Sequence, residues 1–146
     1  MCDIIIRQAA ESDLPVFAEI ERECIAEPWS VESFRAEYNA AGAVFLAAER
    51  GGVICGFLTA SSVLDEVNIN NVAVLPEYRR NGIGERLLCT LEEQVSGFAA
   101  VINLEVRESN LPAIALYKKH GYAQNGLRKN FYRQPVENAV LMSKAV

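Results

Sequence analysis

Arg79-Arg80-Asn81-Gly82-Ile83-Gly84 follows a strand-like Asn71-Val72-Ala73-Val74 and the stop signal Leu75-Pro76. It opens a stretch in which Ile83, Leu87, Leu88, Leu91 and Val95 recur with helical period. This order of strand, glycine-containing basic loop and helix constrains the chain more than any other feature. The first turn of a helix carries N–H groups without intrahelical partners, and the macrodipole adds partial positive charge at the same point. An anion is therefore expected there. Gly82 and Gly84 would let the backbone approach a pyrophosphate closely, and Arg79 and Arg80 add charge. As an isolated pattern, Asn81-Gly82 could equally be a turn flanked by solvated arginines. Two other phosphate motifs are excluded: the third glycine of G-x-G-x-x-G would fall at Leu87, and no G-K-[ST] occurs.

The elements around this loop can be read along the chain. Strands are expected over 3–8, 44–49, 53–62, 65–74, 99–106 and 139–142, with a short one around Tyr122 and a polar stretch up to Glu137. Ser12-Asp13 is expected to cap a helix carrying Leu14, Phe17, Ile20 and Ile25, with Pro15 tolerated in its first turn. Ser30 caps a short helix through Tyr38, Gly82 opens one running to about Ser96, and Asn110 caps another that reaches His120 and stops at Gly121. Arg50-Gly51-Gly52 makes a hairpin turn. Hairpins combined with a strand-helix-strand crossover imply an α/β domain with a mixed sheet.

Composition bounds the function. The 146 residues, 51% hydrophobic and 23% charged, suit one domain over 1–146, and no apolar run approaches the roughly 20 residues of a membrane span. Met1-Cys2-Asp3 lacks the basic start of a secretory signal, so a cytoplasmic location is expected, without a membrane partner. A net charge of -5 argues against direct nucleic-acid binding and is compatible with a cationic partner. Cys2, Cys24, Cys55 and Cys89 are scattered, and His120 is the single histidine, so no metal site is expected and the cysteines read as small hydrophobes.

The Arg-x-x-Gly-x-Gly loop after a Val-Ala-Val strand resembles the acetyl-CoA signature of the GNAT superfamily. The likeness extends over nearly the whole chain. Pro28-Trp29-Ser30, Leu64-Asp65-Glu66, Leu104-Glu105-Val106-Arg107-Glu108-Ser109-Asn110, Ala113-Ile114-Ala115-Leu116-Tyr117 and Arg128-Lys129-Asn130-Phe131-Tyr132 make it similar to the bacterial ribosomal-protein-alanine N-acetyltransferases. The resemblance implies the GNAT fold, a mixed but mostly antiparallel central sheet flanked by helices. It also implies acetyl-CoA as co-substrate, no metal, and the N-terminus of a ribosomal protein as partner. Acetyl-CoA would lie in a splay between the 65–74 and 99–106 strands. Backbone groups of Val72, Ala73 and Val74 would hold its pantetheine arm, and Arg79, Arg80, Asn81, Gly82, Ile83, Gly84 and Glu85 its pyrophosphate.

Acetylating an α-amine needs a base, because an α-ammonium with a pKa of about 7.7 to 8.0 is substantially protonated at neutral pH. The resemblance places that base at Glu105 and the proton donor to the departing sulfur at Tyr117, with the N–H of Val74 facing the developing oxyanion if the strand is splayed or bulged there. By residue type alone, Glu105 is equally a charged strand end and Tyr117 a packed helix residue. Asn110 caps its helix and would also contact the cofactor. Trp29, Glu66 and Tyr132 are expected to bind the acceptor, with Asp65, Glu66 and Glu108 as carboxylates flanking the site; Trp29 alone could be plain core. The chain departs from the family at Phe131, where a tyrosine is usual, and at Asn138, where an acid is usual. A GNAT enzyme for small-molecule amines and a non-catalytic acyl-CoA-binding module are the alternatives.

Overall fold

A computed structural model describes residues 3–146 of the chain; Cys2 lies outside the described residues. The elements run β1 (Ile4–Gln8), α1 (Leu14–Cys24), α2 (Val31–Tyr38), β2 (Ala43–Arg50), β3 (Val53–Val63), β4 (Glu66–Val74), α3 (Ile83–Val95), β5 (Val101–Arg107), α4 (Leu111–Lys119), β6 (Ala123–Arg133) and β7 (Val136–Ala145). They form one seven-stranded sheet in the order β1-β2-β3-β4-β5-β7-β6. Each neighbouring pair is antiparallel except β4 and β5, which are parallel.

Two apolar clusters lie on opposite faces of the sheet. On one face Val67, Ile69, Ile102, Leu104, Val106, Val140 and Met142 meet Ile83, Leu87, Leu88, Leu91 and Val95 of α3 and Tyr117 of α4. On the other, Phe45, Ala47, Phe57 and Ala73 meet Leu14, Phe17, Ala18 and Ile20 of α1 and Phe34 of α2. Phe17 stacks on Phe57 at 4.4 Å, and Phe34 meets Phe57 edge-on at 5.6 Å. The helical spacing of Leu14, Phe17 and Ile20 is thus what buries α1, whereas Ile25 lies past its end and is 38% exposed.

Local chemistry departs from the sequence reading in three places. Asp13 does not cap α1 with its side chain; its carboxylate turns back to accept the Ala10 N–H at 2.7 Å and to pair with Arg7 at 2.8 Å, closing a 3-10 turn over Glu11–Asp13. Ser30 does cap α2, accepting from Ser33 N–H at 3.1 Å, and Asn110 caps α4 through Ala113 N–H at 3.3 Å. The expected polar stretch before Glu137 is instead the long hairpin β6–β7. Its outer strand is exposed along nearly its whole length, so it carries no alternation of apolar residues. Asn138 holds this hairpin, accepting from Asn130 N–H at 3.0 Å and donating to Glu108 at 3.3 Å, with Asn130 at φ 53. Cys55 is buried and Cys24 packs half-buried against the α1 cluster, as small hydrophobes in or near the core; Cys89 is exposed, against that expectation.

Candidate active site

The parallel pair β4–β5 is short. Registered partners are Glu66 with Val101, Val67 with Ile102 and Asn68 with Asn103. Beyond Asn68 the strands part, and at the same level the register of β3 against β4 slips so that Asn70 has no partner opposite. The bulge thus falls at Asn70 rather than at Val74. It moves Asn71 and Ala73 onto the α1 face and Val72 and Val74 onto the α3 face. Leu75 N–H donates to Cys55 at 2.9 Å, and antiparallel pairing alternates, so the backbone groups of Val72 and Val74 point away from β3 into the splay. The carbonyl of Val74 is taken by Arg79 Nε at 3.0 Å, while its N–H faces the opening.

That hydrogen bond gives Arg79, expected at the pyrophosphate, a second task at the strand end through its Nε. The carbonyl at the strand end needs a donor, and Arg79 supplies it, also reaching Cys24 Sγ at 3.7 Å. Asn81 likewise folds its amide back on the carbonyls of Tyr78 and Arg79. The Glu85 carboxylate turns to Lys119 at 3.3 Å, which holds its pKa below the ordinary range, and lies 3.6 Å from His120 at the end of α4. Ile83 is 2% exposed and belongs to the core. The side chains of 81, 83 and 85 are therefore committed elsewhere, and what the loop presents is backbone with the exposed Arg80. Gly82 sits at φ 72, where a Cβ would meet nothing within 4 Å, and it precedes the first turn of α3. An open cradle with free N–H groups fits a pyrophosphate.

On the α1 face, β5, β7 and β6 are not covered by a helix, and an open cleft of about 870 Å³ lies over them. Trp29, Val72, Glu105, Asn110, Tyr117 and Tyr132 all line it. Ala73, Val74 and the loop 79–85 do not; the loop lies past the splay at the head of α3. Asp65, Glu66 and Glu108 do not either. Glu66 is in the paired end of β4, facing Asn103 at 3.5 Å, and the carboxylates that do line the cleft are Glu21, Glu27 and Glu105. Tyr117 is 8% exposed; burial, followed by the nearby Tyr132, pushes its pKa up to about 12. Its hydroxyl is protonated at neutral pH. Tyr132 is also pushed up to about 12, by burial and then by Glu105, and Arg107 lies 4.3 Å over its ring. Glu105 pairs with the exposed Arg128 at 3.5 Å. Trp29 combines both expected roles, packing on Phe34 at 5.3 Å while lining the cleft.

Two groups in this site were not singled out from sequence. Glu27 ties the α1–α2 loop to the β6–β7 hairpin, accepting from the N–H of Arg133 at 2.6 Å and of Gln134 at 2.8 Å, with Arg107 at 3.4 Å. Glu21 is buried in the cleft wall and accepts the Trp29 N–H at 3.1 Å. Glu27 left no signal. Glu21 did, since a carboxylate one turn after Phe17 falls on the buried face of its helix.

A parallel pair that splays after three residues, with a glycine cradle at the head of the next helix, leaves room for an acyl-CoA along the splay. The chain belongs to the GNAT acetyltransferase family, whose model matches residues 14–122. It is 36% identical to the [ribosomal protein bS18]-alanine N-acetyltransferase of Escherichia coli K12, over 90% of each chain. It is 37% identical to that of Haemophilus influenzae, over 95% of this chain and 97% of the other. The crystal structure of the ribosomal-protein-S18-alanine N-acetyltransferase from Escherichia coli superposes with a TM-score of 0.92 at 32% identity, covering 99% of this chain and 94% of that one. Arabidopsis thaliana NAA60 in complex with a bisubstrate analogue superposes with a TM-score of 0.88 at 25% identity, over 98% of each chain.

Proposed function

We propose that the protein transfers acetyl from acetyl-CoA to the N-terminal alanine of ribosomal protein bS18. The observation that carries this is the continuity of the splay with the cleft: Val72, on the edge of β4 that β5 has left, lines it together with Glu105 and Tyr117. The similarity to enzymes named for that substrate supports its identity. Acetyl-CoA supplies the activated thioester. Val72 holds its pantetheine arm by backbone, Val74 keeping only its N–H because Arg79 takes its carbonyl, and the N–H groups at 82–85 with Arg80 hold its pyrophosphate.

Glu105 takes a proton from the acceptor ammonium, directly or through one water, so that a neutral amine attacks. The Val74 N–H donates to the acetyl oxygen as charge develops there, a role open to it because β5 has left that edge. Tyr117, protonated at neutral pH, gives its proton to the departing sulfur. No acyl-enzyme is required. Trp29, in the α1–α2 loop, and Tyr132, in the β6–β7 hairpin, both line the cleft and narrow it around a small first residue.

A panel of peptides with basic residues after Ala, Ser, Met or acetyl-Ala, run beside polyamines and aminoglycosides at one salt concentration, tests this reading. The Ala peptide is expected to have the highest kcat/KM. Preference for a polyamine, or for a lysine in the blocked peptide, would reject the bS18 assignment.

A further inference from the structure

Glu21 lies on the buried face of α1, between Ile20 and the Asn71 amide, and is 1% exposed. A carboxylate in that position is costly to desolvate unless both oxygens are hydrogen-bonded. Oε2 is satisfied twice, by the Trp29 N–H at 3.1 Å and by Asn71 Nδ2 at 2.8 Å. Oε1 has no partner among the described residues. The Asn71 amide is not free to turn toward it, because its Oδ1 accepts the hydroxyl of the fully buried Thr59 at 2.8 Å. Thr59, Asn71 and the Trp29 backbone therefore hold one carboxylate oxygen and leave the other, itself buried, unserved, on a residue that lines the cleft with Glu105. Tethering the α1–α2 loop accounts for Oε2. It does not account for Oε1, and an apolar residue beside Phe17 and Ala18 would pack without the desolvation cost.

We infer that Glu21 is the acceptor-recognition residue of the cleft: its free Oε1 accepts a hydrogen bond from an N–H at the amino end of the bound substrate. The inference rests on the reading of this cleft as the acceptor site. Burial works in the same direction, raising the pKa of Glu21 against the two N–H donors, so that a further donor from the substrate stabilises the ionised form. Two N–H groups of a peptide have this chemistry, the terminal amine and the first peptide N–H.

Glu21→Gln tests the assignment, because glutamine keeps one oxygen for Trp29 and Asn71 and replaces Oε1 with an N–H donor. The melting temperature and the acetyl-CoA affinity should hold, while KM for the Ala-initiated peptide rises roughly 10 to 100-fold and kcat falls less. Glu21→Asp, which keeps the acceptor chemistry but retracts it, should raise KM by a smaller factor and serves if the Gln variant is unstable. A substrate with an ester oxygen in place of the first peptide N–H identifies the donor. If the substitution no longer changes KM for the ester, that N–H is the partner; if KM still rises, the amine is. An unchanged peptide KM in both folded variants overturns the inference and leaves Glu21 a loop tether. Failure of the underlying reading is distinguishable: Tyr132→Phe and Trp29→Ala would then leave peptide KM unchanged as well.

Discussion

Strands β2, β3 and the far part of β4 are buried on both faces, by α3 on one side and by α1 and α2 on the other; β5 and β7 are buried on one face only. On the covered half the α1 face carries Phe45, Ala47, Phe57 and Ala73. On the uncovered half the corresponding face carries Asn103, Glu105, Leu141 and Ser143, all lining the cleft. The boundary between the halves runs through the splay of β4 and β5. The same sheet thus separates its tasks: continuity of apolar packing holds the molecule together where two layers cover it, and removal of one layer leaves room for the reaction. Polar side chains at the open face lose no hydrogen bonds to burial, so they can be chosen for chemistry.

The largest effect should come from the covered half. Phe57 is fully buried and in ring contact with Phe17 and Phe34. Phe57→Ala should cost about 3 to 5 kcal/mol, measured by urea unfolding. Leu141→Ala, in the open cleft, should cost much less. Equal losses would erase the distinction between the halves.

A smaller effect in free energy, confined to rate, belongs to the open half. Tyr117→Phe should lower kcat on the order of 10 to 1000-fold with little change in acetyl-CoA affinity. Glu105→Gln should lower kcat/KM most near neutral pH and recover partly as pH rises, because the free-amine fraction grows. Both variants should unfold at the wild-type urea midpoint. A rate near wild type for the tyrosine variant would return Tyr117 to the packed side of the comparison.

How far the sequence anticipates the molecule follows the same division. Helical spacing in Leu14, Phe17 and Ile20, and in Ile83, Leu87, Leu88 and Leu91, marks the covered layers because burial selects apolar residues at a fixed period. The exposed edge strand β6 has no such selection, and from sequence its residues read as a polar stretch. Glu105, Tyr117, Trp29 and Tyr132 were legible by resemblance and do line one cleft. The bond from Arg79 to the Val74 carbonyl was not legible, because charge alone does not reveal which neighbouring carbonyl takes a donor. That Asp65 and Glu66 fall outside the cleft lining was not legible, because the level at which two parallel strands part depends on a bulge that nothing in the local sequence announces.

Gly82 sits at the junction of the two tasks, and its substitution should have an intermediate effect. A side chain there would meet no protein atom within 4 Å, so the damage expected within the protein is backbone strain at φ 72. A β-branched residue in the left-handed region costs about 1 to 2 kcal/mol and would be relieved by turning the cradle. Gly82→Val should weaken acetyl-CoA binding roughly 10-fold or more by calorimetry, whereas Gly82→Asn, tolerated in that region, should stay close to wild type. Equal weakening in both would mean that side-chain bulk toward the ligand, rather than conformation, decides.

The smallest expected effect sets two carboxylates against each other across pH. Asp13 is paired with Arg7 in the covered half, and that hydrogen bond, opposed by partial burial, holds its pKa below the ordinary value. A depressed folded pKa means stability that is present above the unfolded pKa, about 3.9, and is lost as pH falls through the folded value. Glu21 has the opposite sign: burial raises its pKa, so its contribution is fully present below the unfolded value, about 4.3, and is lost as pH rises through the folded one. Asp13→Asn should therefore melt below wild type at pH 7, by about 2 to 4 °C for a loss near 1 kcal/mol. Glu21→Gln should melt at or slightly above wild type at pH 7, since the ionised oxygen without a partner is gone. Both differences should shrink toward pH 3, where the two carboxylates take up protons. Parallel melting curves from pH 3 to 7 for wild type and both variants decide it: two differences of the same sign at pH 7 would mean that Glu21, like Asp13, is a satisfied ion in the free protein, with no oxygen held open for a substrate.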